Sequence, residues 1–441
     1  MKSIDLNLLE VWEKEYNEDI TNLVLKRALT KNELHTIALK QESKIFTSFK
    51  FSKEIKTLPV ANQEKTGRCW IFAGLNVIRE IIAKRYGLKE FELSQNFIAF
   101  YDKLEKINYF LQSVDDFIDS DKDDRTLQHL VRIGIQDGGQ WDMFVSLIEK
   151  YGVVPKDAME ETANSSSTKT MNQFINLKLR QYVALSRKDK SQKENYKRQI
   201  LKELYSFLIS NFGTPPKVFD FEYVDKESNY HLDENLTPKI FANEYIGDIL
   251  DDYVSIINAP TDDKPFNKTY SVKYLGNVIE GRKIKYINLE MKNLKDKVLK
   301  QLNDNEVVWF GSDVGHYGDR DLGVWADDRY DYENIFRLDF SLDKASMLDY
   351  GHSQMNHAMV ITGYAMKQNQ PTKYKIENSW GDKSGKKGYF IASDSWFDKF
   401  VYQAVINKKY LSETELKILE EEPTMLSPWD PMGSLADKKW L

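Results

Sequence analysis

Cysteine is nearly absent from this chain of 441 residues: Cys69 stands alone. A single thiol excludes an intrachain disulfide framework and any metal site built on several cysteines. Histidine is sparse too, and His35, His129, His231, His316 and His352 show no ligand spacing. No metal is therefore expected. There is no Gly-x-Gly-x-x-Gly and no phosphate-loop motif, so no nucleotide cofactor is expected either. No stretch approaches the roughly 18 apolar residues that would span a membrane. Positive charge is not in excess, with 62 Lys and Arg against 68 Asp and Glu and a net charge of −6. That balance disfavours non-specific nucleic-acid binding, which needs a basic face. Local clusters such as Arg187-Lys188-Asp189-Lys190 and Lys386-Lys387 read as solvated surface. The opening residues soon meet Glu10, Glu13, Lys14 and Glu15, with no apolar core of secretory type. A cytoplasmic protein is the expectation, and the glycosylation patterns at Asn164, Asn235 and Asn267 read as chance.

What is present is a globular balance, 41% hydrophobic and 29% charged residues, which excludes a disordered chain. The length suits two or three units or one elaborated domain. Residues 1–60 read as an N-terminal extension, with Leu8, Leu9, Trp12 and Tyr16 at near-helical spacing. Residues 61–160 read as a helical lobe. Its clearest helix runs from Cys69 to Tyr86, apolar on most sides and ended by Gly87. A second runs from about Trp141 to Tyr151, ended by Gly152. Residues 161–282, rich in Lys, Glu and Asn, read as a mostly helical insertion. Residues 283–410 read as β-rich, with short runs such as Val307–Phe310, Ala358–Tyr364 and Gly388–Ala392. Residues 411–441 read as a helix followed by an extended arm. Ser412 and Glu415 fit a capping box, and Pro423, Pro428, Pro431 and Gly433 oppose further helix.

Three residues share a chemical logic. Cys69 opens the buried helix, where the positive end of the macrodipole favours thiolate, the nucleophilic form. His357 precedes a strand-like run and Asn378 follows one. A Cys–His pair needs the imidazole within hydrogen-bond reach of the sulfur, and an Asn carbonyl can hold the ring in its productive tautomer. Gln63 stands where an amide donor for an oxyanion would be useful, beside the Cys69 backbone N–H. Taken singly, each has a plainer reading: a small buried hydrophobe, a structural histidine and a turn residue.

The segments around these residues resemble a known family. Gln63 to Trp70, followed by Ile71-Phe72-Ala73, resembles the active-site segment of papain-type cysteine peptidases. Leu93-Ser94-Gln95, Gly138-Gly139-Gln140-Trp141, Asn356-His357-Ala358 and Asn378-Ser379-Trp380-Gly381 resemble four further family motifs, in the family's order. Two departures narrow the branch. Thr66 stands where secreted members carry a disulfide-bonded cysteine, and His357 lies much farther from Cys69 than the usual spacing of about 130–150 residues. Together with Gly67-Arg68-Cys69-Trp70, these features resemble the bleomycin hydrolase and aminopeptidase C branch. The acidic balance fits the bacterial aminopeptidase C form.

The resemblance implies an α+β, two-lobed papain-like fold with a helical lobe and a β-barrel-like lobe. It implies a cysteine aminopeptidase acting on peptide N-termini by an acyl-enzyme route. Cys69, His357 and Asn378 would be catalytic, and Gln63 would line the oxyanion site. Trp380 would shield the His–Asn pair, and the backbone of Gly138 and Gly139 would hold the substrate. It further implies a homohexamer, and a C-terminal arm in the cleft that presents the Leu441 carboxylate to the substrate's ammonium group. A nucleic-acid-binding role and an endopeptidase or acyltransferase on the same scaffold are the competing readings.

Overall fold

Apolar residues crowd almost every side of the segment after Arg68, and they fold as one long buried helix, α1 (Cys69–Tyr86). Ile71, Phe72, Leu75, Ile78 and Ile82 are almost entirely shielded from solvent, so α1 is a core element rather than an amphipathic surface helix. It ends at Gly87, whose φ of 68° is left-handed and whose N–H returns to the Ala83 carbonyl. The computed structural model describes residues 3–40 and 47–434.

Packed with α1 in one apolar core are α2 (Gln95–Asp115) and α3 (Trp141–Tyr151). The Ser94 hydroxyl caps α2 by accepting from the Phe97 N–H. Gly152 ends α3, as the sequence suggested. Gly74 lets α1 and α3 approach closely: a Cβ there would lie 2.7 Å from the Phe144 ring. Before this core, helices Leu6–Glu18 and Ile20–Leu29 form the expected helical lead, but neither has a buried residue.

The second layer is a sheet of 12 strands among the described residues. Its longer members are β1 (Tyr253–Ile257), β2 (Lys268–Val272), β3 (Tyr286–Asn288), β4 (Val308–Ser312) and β5 (His357–Lys367). They continue with β6 (Gln370–Glu377), β7 (Tyr389–Ser393), β8 (Val401–Asn407) and β9 (Thr424–Leu426). The spatial order is β9-β2-β3-β1-β8-β4-β5-β6-β7. β5 runs antiparallel to both β4 and β6, whereas β1 with β3 and β2 with β9 are parallel. Phe310, Met359, Ile361, Tyr374 and Ile376 fill a second apolar core on this layer.

Residues 161–282 differ from the mostly helical stretch the sequence suggested. They do contain a helical hairpin, α4 (Lys169–Lys188) and α5 (Lys193–Phe212). A two-stranded hairpin follows, Phe219–Val224 against Tyr230–Leu236. Then β1 and β2 enter the main sheet, which therefore draws strands from this stretch, at Tyr253–Ile257 and Lys268–Val272, and not only from beyond residue 282. The physical signal was local: Phe219, Phe221 and Tyr223 alternate with Asp220 and Glu222 in the two-residue period of a strand.

At the far end, the Ser412 hydroxyl accepts from the Glu415 N–H and the Glu415 carboxylate accepts from the Ser412 N–H, completing the capping box. Past Pro423, β9 joins the sheet edge beside β2, and the expected extended arm is then interrupted by a 3-10 turn over Pro431–Gly433, which Asp430 caps by accepting the Met432 N–H. The described part of the arm ends at Ser434; Trp440 and Leu441 lie outside the described residues.

Candidate active site

The two layers meet at one line of residues. Cys69 is the first residue of α1, His357 is the first residue of β5, and Asn378 directly follows β6. Because β5 and β6 pair antiparallel, with Val360 opposite Glu377, the start of one strand lies beside the end of the other. His357 Nε2 is thus 2.8 Å from Asn378 Oδ1. The same Oδ1 accepts the Ser379 N–H at 2.8 Å, which fixes the amide with its oxygen toward the ring. His357 Nε2 is therefore the donor, and in the neutral ring Nδ1 is the basic nitrogen. Trp380 stacks on the imidazole, with ring centres 4.9 Å apart.

Cys69 is buried, and its Sγ receives the Ala358 N–H from across the lobe boundary at 3.4 Å. Burial pushes the thiol up to about 11, against the opposing pull of the Ala358 and Trp70 N–H groups, and the Asp137 charge adds to the rise. The lowered thiol expected at a helix start is thus not a property of Cys69 by itself. Desolvation outweighs the helix terminus, and a thiolate here requires a cation as its companion.

Gln63 lines the same cleft. Its backbone N–H bonds the Ser379 carbonyl at 2.8 Å, tying its loop to the Asn378 segment. Its side-chain Nε2 donates to the Thr66 carbonyl at 2.7 Å, and Thr66 Oγ1 donates back to the Gln63 carbonyl. One amide proton is therefore committed locally and the second remains. The cleft has a volume of about 510 Å3 and is lined by Gln63, Gly67, Cys69, His357, Trp380 and Arg320, among others.

The Gly138–Gly139 turn is held from behind. Asp137 Oδ2 accepts the Gly67 N–H at 2.8 Å, and Oδ1 accepts from Lys103 Nζ at 2.7 Å and Asn172 Nδ2 at 2.8 Å. The Asp137 carbonyl accepts from the Trp70 indole at 2.7 Å. Burial alone would raise Asp137, but the Lys103 charge and the Asn172 and Gly67 donors hold it well below the usual carboxylate range. Lys106 Nζ donates to the Gly138 carbonyl at 2.5 Å. That carbonyl is thus engaged within the protein, which narrows the substrate contacts expected of the glycine pair. Gly139 sits on the Trp70 ring, where a Cβ would come within 2.5 Å. Next to it, Gln140 Nε2 donates to the Ser434 carbonyl at 3.1 Å, so the C-terminal arm reaches this wall. Leu441, the remaining expected site residue, lies outside the described residues.

Sequence reasoning missed the supports. Glu377 is buried and accepts from Arg79 Nη2 at 2.8 Å and Asn76 Nδ2 at 3.0 Å, pinning the residue before Asn378 to α1. Burial raises Glu377, with Arg79 opposing. The available clue was a carboxylate closing a strand directly before Asn378. Among the described residues, no cluster of His, Cys, Asp and Glu could hold a metal ion, and no helix is long and apolar enough to cross a membrane.

A buried helix opening on a cysteine, faced by a sheet strand opening on a histidine with an asparagine at its side, defines a papain-like two-lobed fold of the cysteine peptidase class. The chain belongs to the Peptidase C1-like family, which matches residues 3–433. It is 45% identical to Aminopeptidase C of Lactobacillus delbrueckii subsp. lactis, over 99% of both chains. It is also 45% identical to Aminopeptidase C of Listeria innocua, over 98% of this chain and 99% of the relative. The crystal structure of PepW from Lactobacillus rhamnosis superposes with a TM-score of 0.96 at 46% identity, covering 98% of this chain and 99% of that one.

Proposed function

We propose that this chain is a cysteine aminopeptidase that releases N-terminal residues from peptides through an acyl-enzyme. The observation that carries the reading is the meeting of Cys69 Sγ with the His357–Ala358 strand start, while His357 Nε2 is held by Asn378. In this scheme the thiol proton passes to His357 Nδ1, and the sulfur attacks the carbonyl carbon of the first residue. The spare Gln63 amide proton and the Cys69 backbone N–H receive the oxyanion. His357 returns its proton to the leaving amine, and water then releases the acyl group by the reverse path. The imidazolium supplies the companion charge that a buried thiolate needs. Gly139, with Gly138 in a supporting part, lines the path of the substrate backbone.

The described arm supports selection of free N-termini, since it crosses to Gln140 at the wall beside Gly139. The segment beyond it, ending in Leu441, would place a carboxylate for the substrate's ammonium group. Assembly as a homohexamer is supported by the N-terminal helices, whose Leu6, Val11, Trp12, Ile20 and Val24 are all at least half exposed; such a patch is suited to a second copy. We place the enzyme in the cytoplasm, with peptides and itself as partners, no cofactor and no nucleic-acid role, in keeping with its acidic balance. The deciding experiment compares the wild type with Cys69→Ala on peptides with free and with blocked N-termini. The proposal requires hydrolysis of the free form by the wild type alone; retained hydrolysis by pure Cys69→Ala protein would refute it.

A further inference from the structure

We propose that Arg320 forms a carboxylate-binding subsite on the leaving-group side of the cleft, favouring substrates with a carboxylate just past the scissile bond. The inference rests on the aminopeptidase reading above, because that reading gives the cleft its direction. The glycine turn and the arm at Ser434 stand on one wall, next to Cys69 and Trp70. His357 and Trp380 form the other side, and the amine that takes its proton from His357 must depart along it. Whatever follows the scissile bond therefore lies against Trp380 and the group beyond it.

That group is Arg320. Its guanidinium sits over the Trp380 ring at 4.7 Å from the centroid, and Trp380 in turn stacks on His357. Contact with an aromatic face holds a guanidinium without using a hydrogen bond, so its N–H fork, which matches a carboxylate, remains available. Arg320 is exposed and lines the cleft. Among the described residues no carboxylate pairs with it. The neighbouring Asp319 is committed to Arg329 at 2.7 Å. Glu64, also on the cleft, is bonded by Asn62 Nδ2 at 2.6 Å. The Arg320 backbone is itself fixed, since its carbonyl accepts the Gly385 N–H at 3.3 Å. An aromatic-supported arginine beside the departing amine, with its donors unspent, is built to receive an anion.

Two carboxylates fit: the C-terminus of a dipeptide, or an Asp or Glu side chain in the second position of a longer peptide. The test measures kcat/KM for a dipeptide as free acid and as amide, and for two amidated pentapeptides with Glu or Gln second. For the wild-type enzyme at low salt, at least one ratio should favour the carboxylate roughly tenfold, the scale of one charge-assisted hydrogen bond. A high acid-to-amide ratio assigns the C-terminal carboxylate, and a high Glu-to-Gln ratio assigns the side chain. Arg320→Gln should bring the ratio close to one, and Arg320→Lys should leave it intermediate. The wild-type ratio should also shrink as salt is raised. Wild-type ratios near one, or ratios unchanged in Arg320→Gln, overturn the subsite while leaving the peptidase reading in place. Activity in Cys69→Ala would overturn that reading separately.

Discussion

Replacing Asn378 with alanine isolates the part played by ring orientation. Asn378 is fully buried, and its Oδ1 serves two donors, His357 Nε2 and the Ser379 N–H. Its Nδ2 has no hydrogen-bond partner among the described residues, so nothing is lost on that side. Alanine leaves the imidazole N–H without its buried acceptor, at a cost of about 1–3 kcal/mol. Trp380 still stacks on the ring, so the imidazole stays in place but no longer prefers the tautomer with Nδ1 basic. If that cost falls on the reactive arrangement, kcat/KM should drop by roughly 5- to 150-fold. Asn378→Asp retains an acceptor, and its negative charge should shift the histidine ionisation upward in the pH profile. The assay is kcat/KM for an aminoacyl amide across pH, with alkylation of Cys69 as a control for an intact thiol site. A loss of less than about twofold for Asn378→Ala, with Cys69 still alkylatable, would refute the orienting role.

Three further outcomes are expected. In His357→Gln the thiol loses its companion cation, so Cys69 alkylation should stay slow at neutral pH and climb only as pH approaches the burial-raised value of about 11; wild-type protein should alkylate near neutrality, and equal rates at pH 7 would count against the pair. Asp137→Asn strips a buried lysine of its counter-charge and should lower stability by about 3–5 kcal/mol in urea unfolding at pH 7. Because the folded-state carboxyl is held low, this stabilisation is present above the unfolded value of about 3.9 and fades as pH falls below it, so a variant with wild-type stability at pH 7 would refute the assignment. Deleting residues 435–441 should lower cleavage of free N-termini and allow cleavage of blocked ones; an undiminished preference for the free form would move the selectivity to the cleft walls.

The residues that meet at the candidate site were legible because their segments are local. Each motif carries its own turn or cap: Ser94 before α2, Gly87 after α1, and Asn378 at a strand end. A short segment is enough to display them. The supports were not legible because they join residues distant in sequence. Nothing near Arg79 announces that it will meet Glu377, and nothing near Lys103 points to Asp137. The helix-start argument for Cys69 failed for a similar reason, since the degree of burial is set by β4 and β5, which come much later in the chain. The extent of the sheet was misjudged where Tyr253–Ile257 and Lys268–Val272 follow a long polar, helical stretch, and composition averaged over that stretch concealed two short buried runs.

The division of the site between layers also has a consequence for biosynthesis. Cys69 is synthesised long before β5 and the Asn378 turn, which lie some 290 to 310 residues later in the chain. An unfinished chain therefore carries a thiol with neither its base nor the base's anchor. The arm that pairs β9 with β2 is made later still. On the proposed mechanism, activity cannot precede synthesis of the Asn378 turn, so nascent copies on one messenger are protected from one another by the order in which their residues are made.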